Sequence, residues 1–434
     1  MDKRRSAFGH VWCWVLVFGL CHAPCLQAQM AGIGAEIIGL PVSQILVTGN
    51  TKTQEKWVLE WADIHPGDII TLAKLNRARQ ELLDTDLFRA VNLQAERYEN
   101  GELALHIIID ERRYWLLLPR LSRNVDGDVK FGMRLRVYNM QGADRTLDVL
   151  AQQEQQNDGD NSDELNLKYK MPLYNSPYDL AWTIKQQVGN NEVEGFTNVE
   201  TVSQGTMAIS RDIDIENLSY PLTVTGGVSF LENDLKEPYP DSIVAREAGT
   251  FNQLILGLSF DDLHSERYRR FGSYYSIAFG RGFDWLGSDY SSNIFEFETI
   301  HMIRLNRYDN FNFRVVLQAT RDSPFDYPSF SIGGGSSIRG LESVDDRGNA
   351  RLFGNFEYIF AYRRKPGLQH SLFVDVGNVY DELHDLDLGD MHYTIGTGLR
   401  WKIEAFVNTD LFLDYGYDLE ANEGKLYGGT SLPF

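Results

Sequence analysis

The sequence predicts an all-β transmembrane barrel of about 16 antiparallel strands, preceded by one small α+β domain. Three observations predict it. The chain opens with an export segment, a short stretch of mixed helix and strand pattern follows, and residues 114–434 then alternate apolar and polar side chains. Many of those alternating runs are about ten residues long, the span of a tilted membrane strand, whereas strands of soluble proteins average five or six.

The export segment comes first. Lys3, Arg4 and Arg5 supply a basic start, residues 11–20 form an apolar core too short to span a bilayer, and Leu26-Gln27-Ala28 offers a small-residue cleavage site. Residues 1–28 are therefore predicted to be a signal peptide. Neither Cys21 after Leu20 nor Cys25 after Pro24 suits a lipoprotein acceptor. Cleavage after Ala28 removes Cys13, Cys21 and Cys25, all 3 cysteines, so the mature chain holds no disulfide and relies on sheet hydrogen bonds and packing.

Charge and aromatic content narrow the class. Without residues 1–28 the chain carries 60 acidic and 38 basic side chains, a net charge of −22. No basic patch rises above this background, which argues against nucleic acid as a partner. Outside the signal segment no apolar run approaches the ~18 residues of a membrane helix. Aromatics nevertheless reach 12%, with 21 Tyr and 24 Phe, a composition typical of exported barrels.

Residues 43–112 carry the small domain. Ile45-Leu46-Val47-Thr48 is a strand ending at Gly49-Asn50, residues 54–62 form a short helix, and His65-Pro66-Gly67-Asp68 ends it. Residues 72–85 form a second helix with Leu72, Leu75, Ala78 and Leu82 on one face. Residues 87–96 and 102–110 are strands joined by the turn Glu99-Asn100-Gly101.

Residues 113–434 carry the barrel. Phe311, Phe313, Val315, Leu317 and Ala319 alternate with Asn312, Arg314, Gln318 and Thr320, and Val316 alone breaks the polar face. Tyr178, Leu180, Trp182 and Ile184 alternate with Asp179, Ala181, Thr183 and Lys185. Strands are expected to begin near 115, 129, 145, 164, 178, 202, 222, 250, 272, 293, 311, 352, 370, 392, 406 and 425. Their even number suits a barrel whose two ends meet on one side of the membrane. The acidic stretch 157–164 lacks the central glycine and terminal glutamate of a calcium loop and is assigned to a solvated hairpin; no metal is expected.

The longest inter-strand segment, residues 322–351, contains Ser331-Ile332-Gly333-Gly334-Gly335-Ser336-Ser337-Ile338-Arg339-Gly340-Leu341. It lacks the Gly-Lys-Ser/Thr ending and following helix of a phosphate cradle. Parity is informative on the strands that follow. If Phe356 and Tyr358 face lipid, Glu357 faces the lumen; if Leu372, Val374 and Val376 face lipid, Asp375 faces the lumen too. Arg351 is assigned to the surface. At the end of the chain, Leu432 and Phe434 share a face and Gly429 lies just before them.

With these motifs the sequence resembles the outer-membrane protein assembly superfamily of the BamA/TamA kind (the bacterial surface antigen barrels), which joins periplasmic POTRA domains to a sixteen-stranded barrel. Ile338-Arg339-Gly340-Leu341 is similar to the family's Val-Arg-Gly-Phe/Tyr tip of the sixth extracellular loop. Glu357 and Asp375 match the acidic lumen positions on barrel strands 12 and 13 that receive this arginine. Residues 43–112 resemble one POTRA domain, including Val47-Thr48-Gly49-Asn50 and Gly67, and Gly429, Leu432 and Phe434 resemble the C-terminal signal by which barrels are recognised. An arginine folded into a partly dry lumen needs carboxylate partners, and its planar fork can engage two.

The resemblance implies a factor that inserts or translocates client polypeptides at the bacterial outer membrane, with the POTRA domain in the periplasm. Its implied partners are outer-membrane lipid, unfolded client polypeptide and periplasmic accessory proteins. No Gly-x-Ser-x-Gly, His-Glu-x-x-His or metal cluster is found, so no enzyme activity and no cofactor is expected. Only residues 29–42 precede the domain, which argues against a lipase domain there and against the plug helix and two POTRA domains of two-partner secretion pores. The rival reading is a secretion or passive pore without insertase activity.

Overall fold

The computed structural model describes residues 37–430 except 99–101, 124–128, 156–160, 194–195, 216–219, 241–244, 267, 342–346, 363–364, 404 and 407–409. The signal segment, the turn at 99–101, most of the acidic stretch 157–164, and Leu432, Pro433 and Phe434 lie outside these residues.

The small domain has the predicted β-α-α-β-β order. Gln44–Thr48 pairs in parallel with Leu103–Glu111, which pairs antiparallel with Phe88–Arg97, so the last strand in sequence is central. Helices Glu55–Ala62 and Leu72–Asp84 cover one face of this sheet. The second helix starts where the Thr71 hydroxyl accepts from the Lys74 N–H at 3.1 Å, satisfying one of the open amides of its first turn. Leu75, Ala78 and Leu82 are buried against Leu105, Ile107 and Phe88. Leu72 was expected on this face but is exposed at the first position of the helix.

The rest of the chain is a ring of sixteen antiparallel strands. Strands 1 to 8 are Trp115–Arg123, Val129–Met140, Arg145–Gln155, Asn161–Pro172, Tyr178–Val193, Phe196–Ile213, Leu222–Leu235 and Gly249–Asp261. Strands 9 to 16 are Arg270–Gly282, Asn293–Arg304, Asp309–Arg321, Ala350–Tyr362, Lys365–Tyr380, His392–Lys402, Asp410–Asp418 and Gly424–Thr430. Each expected strand is present. The largest slip is strand 6, which starts at Phe196, where its ladder with strand 5 runs on to the pair Val193–Phe196. Strands 5 and 6 are 16 and 18 residues long, well beyond the span of a bilayer, and outside lipid the alternation that marks a strand is no longer enforced.

Side chains sort by parity. Ile184, Met207, Leu256, Leu372, Trp401, Leu413 and Leu426 are exposed on the outer face, while Asn312, Glu357, Asp375, Arg400 and Asp414 are buried inside. An apolar exterior of this extent on a closed barrel is stable only against hydrocarbon.

The small domain sits against the mouth formed by turns leading from even- to odd-numbered strands. The Gln54 backbone N–H donates to the Gly142 carbonyl at 3.0 Å and its side chain to the Gln141 carbonyl at 2.8 Å, both between strands 2 and 3. Trp57 meets Tyr174 edge-on with ring centroids 5.3 Å apart, between strands 4 and 5. Asp84, ending the second helix, accepts from the Ser265 N–H at 2.7 Å and contacts His264 at 2.9 Å, between strands 8 and 9. Arg113 donates its N–H to the Ala405 carbonyl at 2.9 Å, between strands 14 and 15. Four separate turns are engaged, so the domain lies across the mouth rather than hanging from its linker.

Candidate functional site

The segment joining strands 11 and 12 leaves from the opposite mouth and folds back inside the ring. Its root is a short ribbon in which Phe330–Ser331 pairs with Arg347–Gly348. Its tip is a tight turn: the Ser337 hydroxyl accepts from the Gly333 N–H and donates to the Gly333 carbonyl, both at 2.9 Å. Gly334 N–H reaches the Leu341 carbonyl at 3.1 Å and closes the tip upon itself.

An apolar seat receives this turn. Ile332, Ile338 and Leu341 pack with Val316 of strand 11 and Phe353 of strand 12. Val316, the single break in the polar face of its strand, thus faces inward to meet the loop. Polar groups flank the seat: Asn355 donates to the Ser337 carbonyl at 2.6 Å, and Arg351 donates to the Ser331 carbonyl at 2.8 Å. Arg351 is therefore not a surface arginine as expected; it lies on the inner face of strand 12, one of the residues that fix the loop. Arg321, at the end of strand 11, is the exposed one.

Beyond the seat, Arg339 enters a charged cluster. Its Nε and Nη2 donate to the two carboxylate oxygens of Asp375 at 2.8 and 2.9 Å, and its backbone N–H donates to the same group at 3.0 Å. Nη1 donates to Asp414 at 3.1 Å and lies 3.7 Å from Glu357. Arg400 of strand 14 completes the group, donating to Glu357 at 2.5 Å and to both oxygens of Asp414, one of them at 3.0 Å. None of these five residues is more than 2% exposed. Two guanidiniums thus stand among three carboxylates, each charge hydrogen-bonded, the condition under which buried ions are tolerated. The Phe373 ring lies flat under the Arg339 guanidinium, 3.5 Å from its carbon to the ring centroid, and adds a cation–π contact.

Small residues let the backbones approach. Gly340 has φ +99°, a left-handed conformation that disfavours side chains, and a Cβ there would stand 2.8 Å from the backbone of Gly416 on strand 15. Phe373 lies across from Gly396 on strand 14, where a Cβ would meet its ring at 2.1 Å.

The structure brings Ile338, Arg339, Gly340, Leu341, Glu357 and Asp375 into one site. Glu357 is the nearer partner of Arg400 rather than of Arg339. Gly429 lies on strand 16 opposite Phe412, whose ring centroid stands 5.5 Å from the Arg400 guanidinium carbon. Asp414 and Arg400 escaped the motif reading, although the same parity argument finds them: Arg400 sits between Leu399 and Trp401, and Asp414 between Leu413 and Tyr415, all outward-facing and exposed. No cluster of three metal-binding side chains occurs among the described residues.

Comparison with known proteins adds the lineage. Residues 151–425 match the Omp85 superfamily domain, and residues 40–112 match the POTRA family, described as surface antigen variable number repeat. The outer membrane protein assembly factor BamA of Nitratidesulfovibrio vulgaris is 23% identical over 431 residues, covering 89% of this chain and 50% of that protein. The chain thus spans about half the length of the curated relative it matches. BamA from Haemophilus ducreyi lacking POTRA domains 1–3 superposes with a TM-score of 0.54 at 16% identity, over 92% of this chain and 85% of that one. CdiB from Acinetobacter baumannii gives 0.62 at 16% identity, over 90% and 73%, and CdiB from Escherichia coli 0.63 at 13%, over 90% and 76%. At these identities the likeness to solved structures is one of fold.

Proposed function

The chain belongs to the Omp85 superfamily, and from that premise we propose that it inserts or translocates client polypeptides at the outer membrane, with the POTRA domain in the periplasm. One observation carries the reading. The Arg339 tip is held inside the barrel in a cluster of five buried charged residues, Arg339 among them, an investment that a passive diffusion channel does not need. Outer-membrane lipid is the solvent of the apolar exterior.

The client is an extended polypeptide, taken up through hydrogen bonding of strand edges. In the POTRA sheet Gln44–Thr48 and Phe88–Arg97 each keep one side unpaired within the sheet, edges suited to an incoming strand or to a periplasmic accessory protein. Insertion uses the seam between strands 1 and 16. Strand 1 contains Pro119, which has no N–H to give to a ladder. The ring closes between these two strands, and among the described residues their contact is far sparser than at any other neighbouring pair. A seam of this kind is the place where a client strand can enter. The mechanism uses no nucleotide, metal or catalytic side chain.

The test is insertion by the purified chain in liposomes: a urea-unfolded barrel protein is diluted in, and its folded fraction is read by gel mobility without boiling. Client folding above that of empty liposomes supports the reading. Planar-bilayer conductance without client folding replaces it with a secretion or passive pore.

A further inference from the structure

Strand 16 carries a tyrosine whose role the Arg339 cluster does not account for. Tyr427 stands directly across from Asp414 in the ladder between strands 15 and 16. Its hydroxyl accepts from the Gly340 N–H at 3.1 Å and donates to the Leu341 carbonyl at 3.5 Å. Its ring covers Gly335, where a Cβ would touch it at 3.4 Å. The loop tip is therefore held twice at one ladder position: the Arg339 side chain by Asp414, and the backbone immediately after it by Tyr427. The first anchor sits on strand 15, well inside the ring; the second sits on strand 16, which borders the seam.

We propose that Tyr427 is a positioning residue that couples the seating of the Arg339 loop to the place of the last strand, so that movement at the seam is transmitted to the loop tip. The inference rests on the seam reading given under the proposed function and names the residue that links seam to loop. The geometry makes the coupling steep. Side-chain parity allows strand 16 to slide along strand 15 only in steps of two residues if its inner face is to stay inside. One such step carries the tyrosine roughly 6–7 Å along the strand. Neither hydrogen bond survives that displacement, and Gly340, which is buried, is left with an amide that no longer reaches the phenol. Arg339 remains clamped by Asp375 and Asp414, so the loop loosens at its tip without leaving the barrel.

Hydrogen exchange of the peptide covering residues 332–341, measured on the full-length protein in detergent micelles, tests the coupling. Four samples are compared: wild type and Tyr427→Phe, each with the seam free or closed by a disulfide between strands 1 and 16. Tyr427→Phe keeps the ring over Gly335 and removes the hydroxyl, and its fold is checked by gel mobility with and without boiling. With the seam free, the variant should exchange roughly three- to tenfold faster at the tip, the factor for one lost hydrogen bond. Closing the seam should slow exchange in the wild type and leave the variant unchanged. Unaltered exchange in Tyr427→Phe overturns the inference, as does an equal slowing of both proteins by the disulfide. If the variant does not fold, the wild-type pair decides alone: no slowing on closing the seam overturns it. No client is involved, so a failed insertion assay and a failed coupling are separate outcomes.

Discussion

Arg339 and Arg400 share one carboxylate: both donate to Asp414, although one arginine lies in a loop and the other on strand 14. Asp375 takes the Nε and Nη2 of Arg339, and Glu357 accepts from the Nη2 of Arg400. The cluster ties the loop to strands 12, 13, 14 and 15 at once, and it behaves as a unit.

Removing one member leaves charge without a partner. Arg339→Ala and Asp375→Ala should each weaken loop seating by about 3–5 kcal/mol, mostly the penalty of the group left behind. Limited proteolysis of the loop on the intact barrel reads this. Arg321→Ala, at the exposed end of strand 11, should leave the cleavage rate unchanged. Equal cleavage in all four proteins, wild type included, contradicts the buried seat.

Asp414→Asn should be more disruptive than Glu357→Gln. Asp414 receives donors from both arginines, whereas Glu357 accepts from Arg400 and stands 3.7 Å from Arg339. The same proteolysis ranks the two variants. A larger effect at Glu357 reverses the assignment of partners drawn from the distances.

Much of this site was legible in the sequence, and the gaps have a common cause. Alternation fixed which side chains of strands 12 and 13 point inward, so Glu357 and Asp375 emerged from parity and the Arg-Gly tip from resemblance. Asp414 and Arg400 obey the same parity, but which of many inward charges meet in space depends on the stagger between strands, which no local pattern records. Arg351 was misplaced for a related reason: a residue at the start of a strand can face solvent or lumen, and only the fold of the loop above it decides. Val316 is the converse, an apparent flaw in the polar face that turns out to be the floor of the loop's seat.

Close packing makes the loop sensitive to a methyl group. A Cβ on Gly416 would stand 2.6 Å from the Arg339 backbone carbonyl carbon and the Gly340 nitrogen, with only backbone there to yield. Gly416→Ala should destabilise seating by about 1–3 kcal/mol, the usual penalty of overpacking. Gly334→Ala meets no atom within 4 Å, although its φ of +79° is itself strained, so it should lift the tip less. Comparable proteolysis of the two variants contradicts the tight approach at Gly416.

The dock between the POTRA domain and the barrel carries a proton-sensitive contact. Burial alone lowers the His264 pKa, but hydrogen bonds to Asp262 and Asp84 outweigh it and raise it to about 9, with the charges of the two carboxylates adding to the effect. Tyr220, Phe271 and Glu81 border the same turn. A pKa raised in the docked state means the contact is fully present below about 6.5, the ordinary histidine value, and is lost as pH rises through 9. Hydrogen exchange at the end of the second helix, residues 80–84, should therefore increase between pH 6.5 and 9 beyond the intrinsic rate. His264→Gln should abolish that excess, and a wild-type profile that follows the intrinsic rate alone contradicts the assignment.

The central claim, that a client strand enters at the seam, is tested most directly by closing it. Cysteines placed on strands 1 and 16 are oxidised to a disulfide, and client insertion into liposomes is measured before and after reduction. The account predicts that the oxidised barrel inserts no client and that reductant restores the wild-type level. Undiminished insertion by the locked barrel contradicts entry at the seam and leaves the pore as the path.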